Sequence, residues 1–164
     1  MTIRPAAPGD FDAMWEIFRA IVARGDTYPF APDTPRADAQ AYWFAPGAAS
    51  WVIEADGNVV GMYKIVANQP GLGAHVANAS FMVDPQFTGK GAGRQMGEHC
   101  LDEARRRGFR AMQFNFVVST NERAVALWLS LGFAIVGTLP GAFHHQQLGY
   151  VDAYVMFRAL SQEA

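Results

Sequence analysis

Apolar residues recur three and four positions apart along several stretches of the chain, which is the period of a helix with one buried face. The clearest example runs from Ala124 through Leu127 and Trp128 to Leu131, and Gly132 ends it. Together with the capping and glycine signals beside them, these patterns predict helices over residues 11–21, 36–44, 92–107 and 121–131. Asp10 is the predicted N-cap of the first helix.

Shorter apolar runs predict strands over residues 2–4, 51–54, 59–66, 77–83, 110–118, 133–137 and 150–158. The segment Ala55-Asp-Gly-Asn58 between the second and third runs is typical of a hairpin turn. Hairpins lie near both ends, and strands alternate with helices in the middle. This order predicts a single domain over residues 1–164, with a mixed, mostly antiparallel α/β sheet and one parallel step.

Polar side chains interrupt two of the predicted central strands. Alternation places Asn78, Ser80 and Met82 on one face of strand 77–83. In strand 110–118 it places Gln113 and Asn115 opposite the apolar side chains of Met112, Phe114, Phe116 and Val118. Buried amides destabilise a fold unless they form hydrogen bonds. They therefore either face a shared cavity or bond to each other or to a bulged backbone.

Composition narrows the classes of function. The net charge of −2 and pI near 6.0 argue against a nucleic-acid partner, and the basic run Arg105–Arg107 suits the end of a helix. Cys100 is the one cysteine, which excludes an internal disulfide and fits a cytoplasmic protein. No apolar run is long enough to predict a membrane span. The adjacent His144 and His145 lack the spacing of a zinc site, so no metal is expected.

Gly89, Gly91 and Gly93 alternate between a predicted strand and a predicted helix. Glycines in this place let backbone N–H groups converge at the positive end of the helix dipole, which is a geometry that binds phosphate. A Walker loop is excluded because no Gly-Lys-Ser/Thr follows at the required spacing. The alternative is a tight strand-to-helix connection that binds nothing.

Four motifs carry a specific resemblance: Val83-Asp-Pro, the segment Thr88–Arg94, Asn121-Glu-Arg-Ala and Leu131-Gly-Phe. In this order they resemble the acetyl-CoA signatures of the GNAT superfamily. The resemblance implies a GNAT-type sheet with about four flanking helices, splayed between strands 77–83 and 110–118. It also implies acetyl-CoA as cosubstrate, with the pantetheine arm paired to the backbone of Phe81, Met82 and Val83.

The same resemblance implies that the loop amides hold the CoA pyrophosphate, together with three side chains. These implied contacts are Thr88, Gly89, Lys90, Gly91, Ala92, Gly93 and Arg94. One departure from the family pattern is Thr88, because the family more often has Gln or Arg there. Lys90 and Arg94 are then left to supply the positive charge.

Asn78, Asn115 and Asn121 resemble the asparagine set of the fungal proline-analogue acetyltransferases, which acetylate azetidine-2-carboxylate and related cyclic amino acids. This resemblance implies that Asn78 and Asn115 hold the carboxylate of the acceptor and that Asn121 lies near the thioester as a catalytic residue. Many family members place a Tyr where this chain has Trp128. The proton donor for the leaving thiolate is therefore unassigned, and Asn121 or a water could replace it.

The predicted function is acetyl transfer to the amine of a small molecule, an amino acid or cyclic amino-acid analogue, by direct attack in a ternary complex. The aromatic-rich segment 28–44 is expected to cover a small site. Two alternatives stay open: acetylation of a protein or peptide amine, and a non-catalytic acyl-CoA-binding sensor. A homodimer is expected only by analogy with the family.

Overall fold

The computed structural model describes residues 1–160. Its helices are α1 (Phe11–Val22), α2 (Arg36–Trp43), α3 (Ala92–Arg106) and α4 (Glu122–Ser130). The strands are β1 (Thr2–Pro5), β2 (Ala49–Ala55), β3 (Asn58–Ala67), β4 (Val76–Val83), β5 (Ala111–Val118), β6 (Ala134–His145) and β7 (Gly149–Ala159). The four predicted helices are all present, and each lies within a residue or two of its predicted bounds.

The seven strands form one sheet in the order β1-β2-β3-β4-β5-β7-β6. Every neighbouring pair is antiparallel except β4 and β5, which are parallel. The predicted mixed, mostly antiparallel sheet with one parallel step is therefore confirmed. The helix α3 makes the connection between the two parallel strands, as such a crossover requires.

The sheet buries both of its faces, and successive residues of β4 show how. Ala79, Phe81 and Val83 pack on the face covered by α3 and α4. Met82 packs on the opposite face, against α1 and α2. The period of two along a strand thus divides the core into two layers. Asn78 and Ser80 have the same parity as Met82 and so belong to the face of α1 and α2.

The parallel pair β4 and β5 stays together for only two register positions, Val76 with Ala111 and Ala77 with Met112. Beyond them the strands separate, which confirms the predicted splay. On its other side β5 pairs with β7, and a bulge lies between Phe114 and Val117. The bulge shifts the alternation by one residue, so Val117 joins Phe114 in the core while Phe116 is only half-buried. The prediction that Phe116 continues the apolar face was wrong for this reason.

Two local predictions also hold only in part. The predicted strand 133–137 extends through β6 to His145, because two register shifts in its pairing with β7 accommodate the segment Leu139-Pro140-Gly141. Asp10 occupies the N-cap position of α1, as predicted, but its side chain forms no capping hydrogen bond with that helix. It ends a short 3₁₀ turn, where its carboxylate accepts a hydrogen bond from the N–H of Ala7 at 2.7 Å and pairs with Arg4 at 2.8 Å.

Glu103 on α3 forms salt bridges with two of the three arginines in the basic run Arg105–Arg107. Its carboxylate lies 2.7 Å from both Arg106 and Arg107, while Arg105 pairs with Asp102 at 2.9 Å. The three arginines thus lie at the end of α3, as predicted. The structure adds that each is paired with a carboxylate. Within residues 1–160, none of the helices combines the length and apolar character needed to cross a membrane.

Candidate active site

A cavity of about 570 Å³ opens where β4 and β5 separate. The segment between α1 and α2 forms one wall, and the start of α3 and the first turns of α4 form another. Its lining from these elements includes Tyr28, Phe30, Tyr42, Asn78, Phe81, Gly89, Gly93, Asn115, Asn121 and Trp128. Most of the residues that the sequence assigned to acetyl-CoA and to the acceptor are thus brought to one place.

The glycine segment connects β4 to α3 through a left-handed turn. Gly89 has φ +85° and Gly91 has φ +88°, a region that residues with a Cβ enter only under strain. Gly91 is the N-cap of α3 and has no side chain to satisfy the first N–H groups of the helix. Those groups and the helix dipole can therefore serve an anion. Thr88, Gly89, Ala92 and Gly93 line the cavity.

The two basic side chains that the resemblance assigns to the pyrophosphate, Lys90 and Arg94, do not line the cavity. The ammonium of Lys90 lies 4.3 Å from the centre of the Phe87 ring, outside the cavity lining. Arg94 donates to the hydroxyl of Ser130 at 2.8 Å and is likewise absent from that lining.

Two other arginines do line the cavity, Arg24 from the end of α1 and Arg123 from the first turn of α4. Neither arginine was predicted from the sequence as a site residue. Arg123 lies within the quoted motif Asn121-Glu-Arg-Ala, so its place beside Asn121 was the available signal.

The edge of β4 presents alternate backbone groups to the splay. Asp84 donates its N–H to Val60 on β3 at 2.9 Å, so Met82, two residues earlier, also directs its backbone toward β3. Of the three predicted pantetheine partners, Phe81 and Val83 face the splay. Met82 does not, and its predicted backbone role is corrected by this alternation. Met82 is still among the residues that line the cavity.

Tyr28 occupies this strand edge. Its hydroxyl donates to the carbonyl of Phe81 and accepts from the N–H of Phe81, with an N···O distance of 3.3 Å. These are the two hydrogen bonds that a neighbouring strand would otherwise make with Phe81. Burial raises the pKa of Tyr28 well above its ordinary value, so the hydroxyl keeps its proton.

The three predicted asparagines lie in different settings. Asn78 is half-buried and lines the cavity. Asn115 is exposed; its amide donates to Asn68 at 2.6 Å and its oxygen accepts from Gln113 at 2.9 Å. Asn121 caps α4 through its side-chain oxygen, which accepts from the N–H of Ala124 at 3.3 Å. Asn121 also lines the cavity, and its NH₂ forms no hydrogen bond with the described residues, while Asn115 is partly engaged elsewhere.

Lys64, a residue that the sequence did not single out, is buried against Tyr42, which lines the cavity. Its ammonium donates to the carbonyl of Tyr42 at 2.7 Å and lies 3.2 Å from the centre of the Tyr42 ring. The Tyr42 hydroxyl in turn lies 2.5 Å from the hydroxyl of Ser80. Burial lowers the pKa of Lys64 to about 8.

Trp128 packs in an aromatic cluster, with ring centres 4.7 Å from both Phe81 and Phe114. It is 7% exposed, as expected of a core residue. Its indole therefore closes the back of the cavity. Cys100 is also fully buried, and burial raises its thiol pKa, so it is not a nucleophile.

The charged residues that line the cavity are of one sign. Among the described residues that line it, two are arginines and none is Asp, Glu or His. Such a lining attracts anions, including the phosphates of CoA, and it disfavours a polycation. It also offers no carboxylate or imidazole as a general base.

Comparison with known proteins agrees with this geometry. The profile of the acetyltransferase (GNAT) family matches residues 12–133. The solved structure of a GCN5-related N-acetyltransferase from Kribbella flavida superposes with a TM-score of 0.91 at 45% identity, covering 96% of each chain. That of yncA from Salmonella typhimurium, with its cofactor acetyl-CoA, gives 0.87 at 28% identity, covering 100% of this chain and 96% of the other.

Among curated proteins, the chain is 31% identical over 153 residues to the N-acetyltransferase aca1 of Schizosaccharomyces pombe, covering 82% of this chain and 72% of that protein. It is also 35% identical over 79 residues to a ribosomal protein bS18-alanine N-acetyltransferase of Salmonella typhimurium, covering 48% and 52%. The family match spans most of the chain, and the matched proteins share its fold. The chain therefore belongs to the GNAT family and is an acetyl-CoA-dependent N-acetyltransferase.

Proposed function

We propose that this protein acetylates the amine of a small molecule that also carries a carboxylate, an amino acid or a cyclic amino-acid analogue. The observation that carries the proposal is the chemistry of the cavity lining. It combines amides and arginines and contains, among the described residues, no acidic side chain.

The size and cover of the cavity support a small acceptor. A volume of about 570 Å³ lies within the range of small-molecule sites, and the pantetheine arm would use part of it. Tyr28 and Phe30 cover it from the segment between α1 and α2, and Tyr42 covers it from α2; the ring of Phe30 contacts both tyrosines. A protein substrate would need an open groove in place of this aromatic cover.

Acetyl-CoA would lie along the glycine segment and the edge of β4. The open N–H groups at the start of α3 suit the pyrophosphate, and Thr88, Gly89, Ala92 and Gly93 lie beside it. Phe81 and Val83 would pair with the pantetheine arm. This arrangement would place the thioester near Phe81, between Asn121 and the part of the cavity lined by Asn78 and Asn115, where the acceptor would lie.

The acceptor would be held by neutral amides and cations. Asn78 donates hydrogen bonds to a carboxylate without adding a second buried charge. Asn115 still has one amide hydrogen for the same carboxylate, since it donates the other to Asn68. Arg24 adds long-range attraction from the rim, where it also pairs with Asp26 at 2.8 Å.

The reaction needs an amine without its extra proton, because the nitrogen lone pair attacks the thioester carbon. The C–N bond forms, the C–S bond breaks, and the electron pair leaves on sulfur. No carboxylate or imidazole lies in the described lining, so the substrate ammonium would lose its proton to water, and the neutral amine would then attack. Proximity and stabilisation of the oxyanion would then supply most of the rate.

The test is a CoA-release assay with an amino acid and its decarboxylated counterpart, on the unaltered protein and on Asn78→Asp. The unaltered protein should prefer the amino acid by about 10- to 100-fold in kcat/KM, the value of one or two hydrogen bonds to a charge. Asn78→Asp is nearly isosteric and places a negative charge against the carboxylate. It should lower turnover of the amino acid and leave the decarboxylated amine less affected.

Equal turnover of the two amines by the unaltered protein would contradict the proposal that the site binds the carboxylate of the acceptor. Acetylation of a peptide amine in preference to both would favour the protein-directed alternative, for which the bS18-alanine relative is the supporting observation. The alternative of a non-catalytic sensor has no such support, because the relatives are named as acetyltransferases.

A further inference from the structure

We propose that Tyr28 is a catalytic residue: its hydroxyl donates a hydrogen bond to the thioester carbonyl oxygen of acetyl-CoA, alongside the backbone N–H of Phe81. This inference rests on the proposed placement of acetyl-CoA along the edge of β4. It supplies a second donor for the oxyanion that forms when the amine attacks.

The position of the hydroxyl carries the proposal. In the structure, the Tyr28 oxygen lies 3.3 Å from the N atom of Phe81 and accepts its hydrogen bond. It therefore occupies the place that the carbonyl oxygen of a strand-paired thioester would take. A thioester that displaces it from the N–H arrives next to the hydroxyl, which then has an oxygen within reach to which it can donate.

Among the aromatic side chains of the cavity, Tyr28 is the one placed to act as a second donor. An oxyanion accepts two hydrogen bonds readily, and one strand N–H supplies only one. Trp128 has no hydroxyl, and its indole is packed against Phe81 and Phe114. The Tyr42 hydroxyl is held by Ser80 at 2.5 Å. Tyr28 is thus the tyrosine of the cavity whose hydroxyl already lies on the reacting segment of β4.

The chemistry of Tyr28 is suited to donation without loss of its proton. Burial and the neighbouring Tyr42 raise the pKa of Tyr28, so it remains neutral at working pH. As the amine attacks, the carbonyl electron pair moves to oxygen, and both hydrogen bonds strengthen. When the C–S bond breaks, that pair returns to form the amide carbonyl, and no proton leaves Tyr28. The attacking nitrogen releases its surplus proton to water, and the thiolate takes its proton from solvent.

The first test needs no acceptor. Acetyl-CoA labelled with ¹³C at the carbonyl is bound to the unaltered protein, to Tyr28→Phe and to Tyr42→Phe, and the carbonyl stretch is measured by difference infrared spectroscopy. Loss of a donor stiffens the carbonyl, so the band should move to higher wavenumber in Tyr28→Phe. Tyr42→Phe removes a hydroxyl from the same aromatic group and should leave the band in place. An unchanged band in Tyr28→Phe would overturn the proposal.

The second test separates binding from turnover. In Tyr28→Phe the hydroxyl no longer competes for the N–H of Phe81, so affinity for acetyl-CoA should stay within about threefold of the unaltered protein or increase. The value of kcat should fall by roughly 100-fold with the best amine acceptor, as for loss of one oxyanion donor. Equal losses of affinity and kcat would show a structural role and overturn the proposal.

The two tests also separate this inference from the proposed function. If amino acids are not acetylated, the proposed acceptor fails, but the carbonyl band still reports on Tyr28. If acetyl-CoA gives the free-solution band in all three proteins, the placement along β4 fails, and the role of Tyr28 fails with it.

Discussion

Lys64 carries a buried positive charge, and among the described residues it forms no salt bridge with a carboxylate. Its ammonium is 6% exposed and is held by a carbonyl and the face of the Tyr42 ring. A cation over an aromatic face recovers part of the lost hydration, and the carbonyl lies at the end of α2, where the helix dipole favours positive charge. Lys64 therefore helps to hold the end of α2 in place beside the cavity.

The buried ammonium makes stability depend on pH. The pKa of Lys64 is lowered to about 8 in the folded protein, whereas the unfolded chain has the ordinary value of 10.5. Between these values the unfolded state binds more protons, so folding gains stability as pH rises. Relative to Lys64→Met, the unaltered protein should gain roughly 2 kcal/mol between pH 7 and pH 9.5, measured by urea unfolding.

The comparison with Lys64→Met cancels the titration of all other groups. If the two stability curves run parallel between pH 7 and pH 9.5, the pKa of Lys64 is not lowered. Selective ¹³C labelling of lysine gives a direct check, because the sequence contains only Lys64 and Lys90. One of the two resonances should titrate with a midpoint near 8.

At the scale of residues, the sequence predicted which residues of the strand and helix motifs line the cavity. It did not predict which side chains contact each other across the fold. Asn78 and Asn121 line the cavity, because strand alternation and the start of a helix fix them. Lys64, Arg24 and Tyr28 could not be assigned in this way. Their roles depend on contacts with residues far along the chain, such as Tyr28 with Phe81, and no local pattern encodes those distances.

At the scale of elements, the glycine segment gives a clean test of acetyl-CoA binding. Gly93 lies inside α3 with an ordinary φ, and a Cβ there would meet Leu127 at 3.5 Å, an unstrained contact. Gly93→Ala should therefore fold with equal or slightly higher stability, since Ala favours helices. The added methyl lies in the cavity wall and should weaken acetyl-CoA binding about tenfold or more, as measured by calorimetry.

Gly9→Ala is the matched control, because a Cβ at Gly9 meets nothing within 4 Å and lies away from the cavity. Unchanged acetyl-CoA affinity in a folded Gly93→Ala protein would contradict the assignment of this segment. Gly91 is a less useful position. Its φ of +88° means that any side chain strains the turn, so loss of binding there would mix two causes.

The elements were predictable wherever the hydrophobic period was regular. Helices α1 and α4 and strands β3 and β4 lie where their patterns indicated. The errors fall at register shifts, in β5 after Phe114 and in β6 around Pro140. A bulge inserts one residue against a partner strand, and the partner is remote in sequence, so a single-strand pattern does not reveal it.

At the scale of the whole molecule, the splay divides the sheet into a half containing β1–β4 and a half containing β5–β7. Only two register positions join the halves directly. A ligand in the cavity can contact both halves, because Phe81 of β4 and Phe114 of β5 both line it. Acetyl-CoA should therefore act as a bridge between the halves.

Hydrogen exchange measured by mass spectrometry can show this bridge. Acetyl-CoA should slow exchange in residues 79–83 and 114–118 as well as at the start of α3. Adenosine 3′,5′-bisphosphate is the control ligand, because it can reach the glycine segment but has no pantetheine arm. It should protect only residues near 88–95. The same protection pattern for both ligands would argue against a pantetheine arm in the splay.

The burial of Lys64 has a practical consequence for chemical modification. Of the thirteen Lys and Arg residues in the sequence, only Lys64 and Lys90 are lysines, and Lys90 is exposed next to the glycine segment. Amine-reactive dyes should therefore label one lysine side chain of the native protein, Lys90. A fluorophore attached there would sit beside the proposed pyrophosphate site and could report cofactor binding without any engineered cysteine.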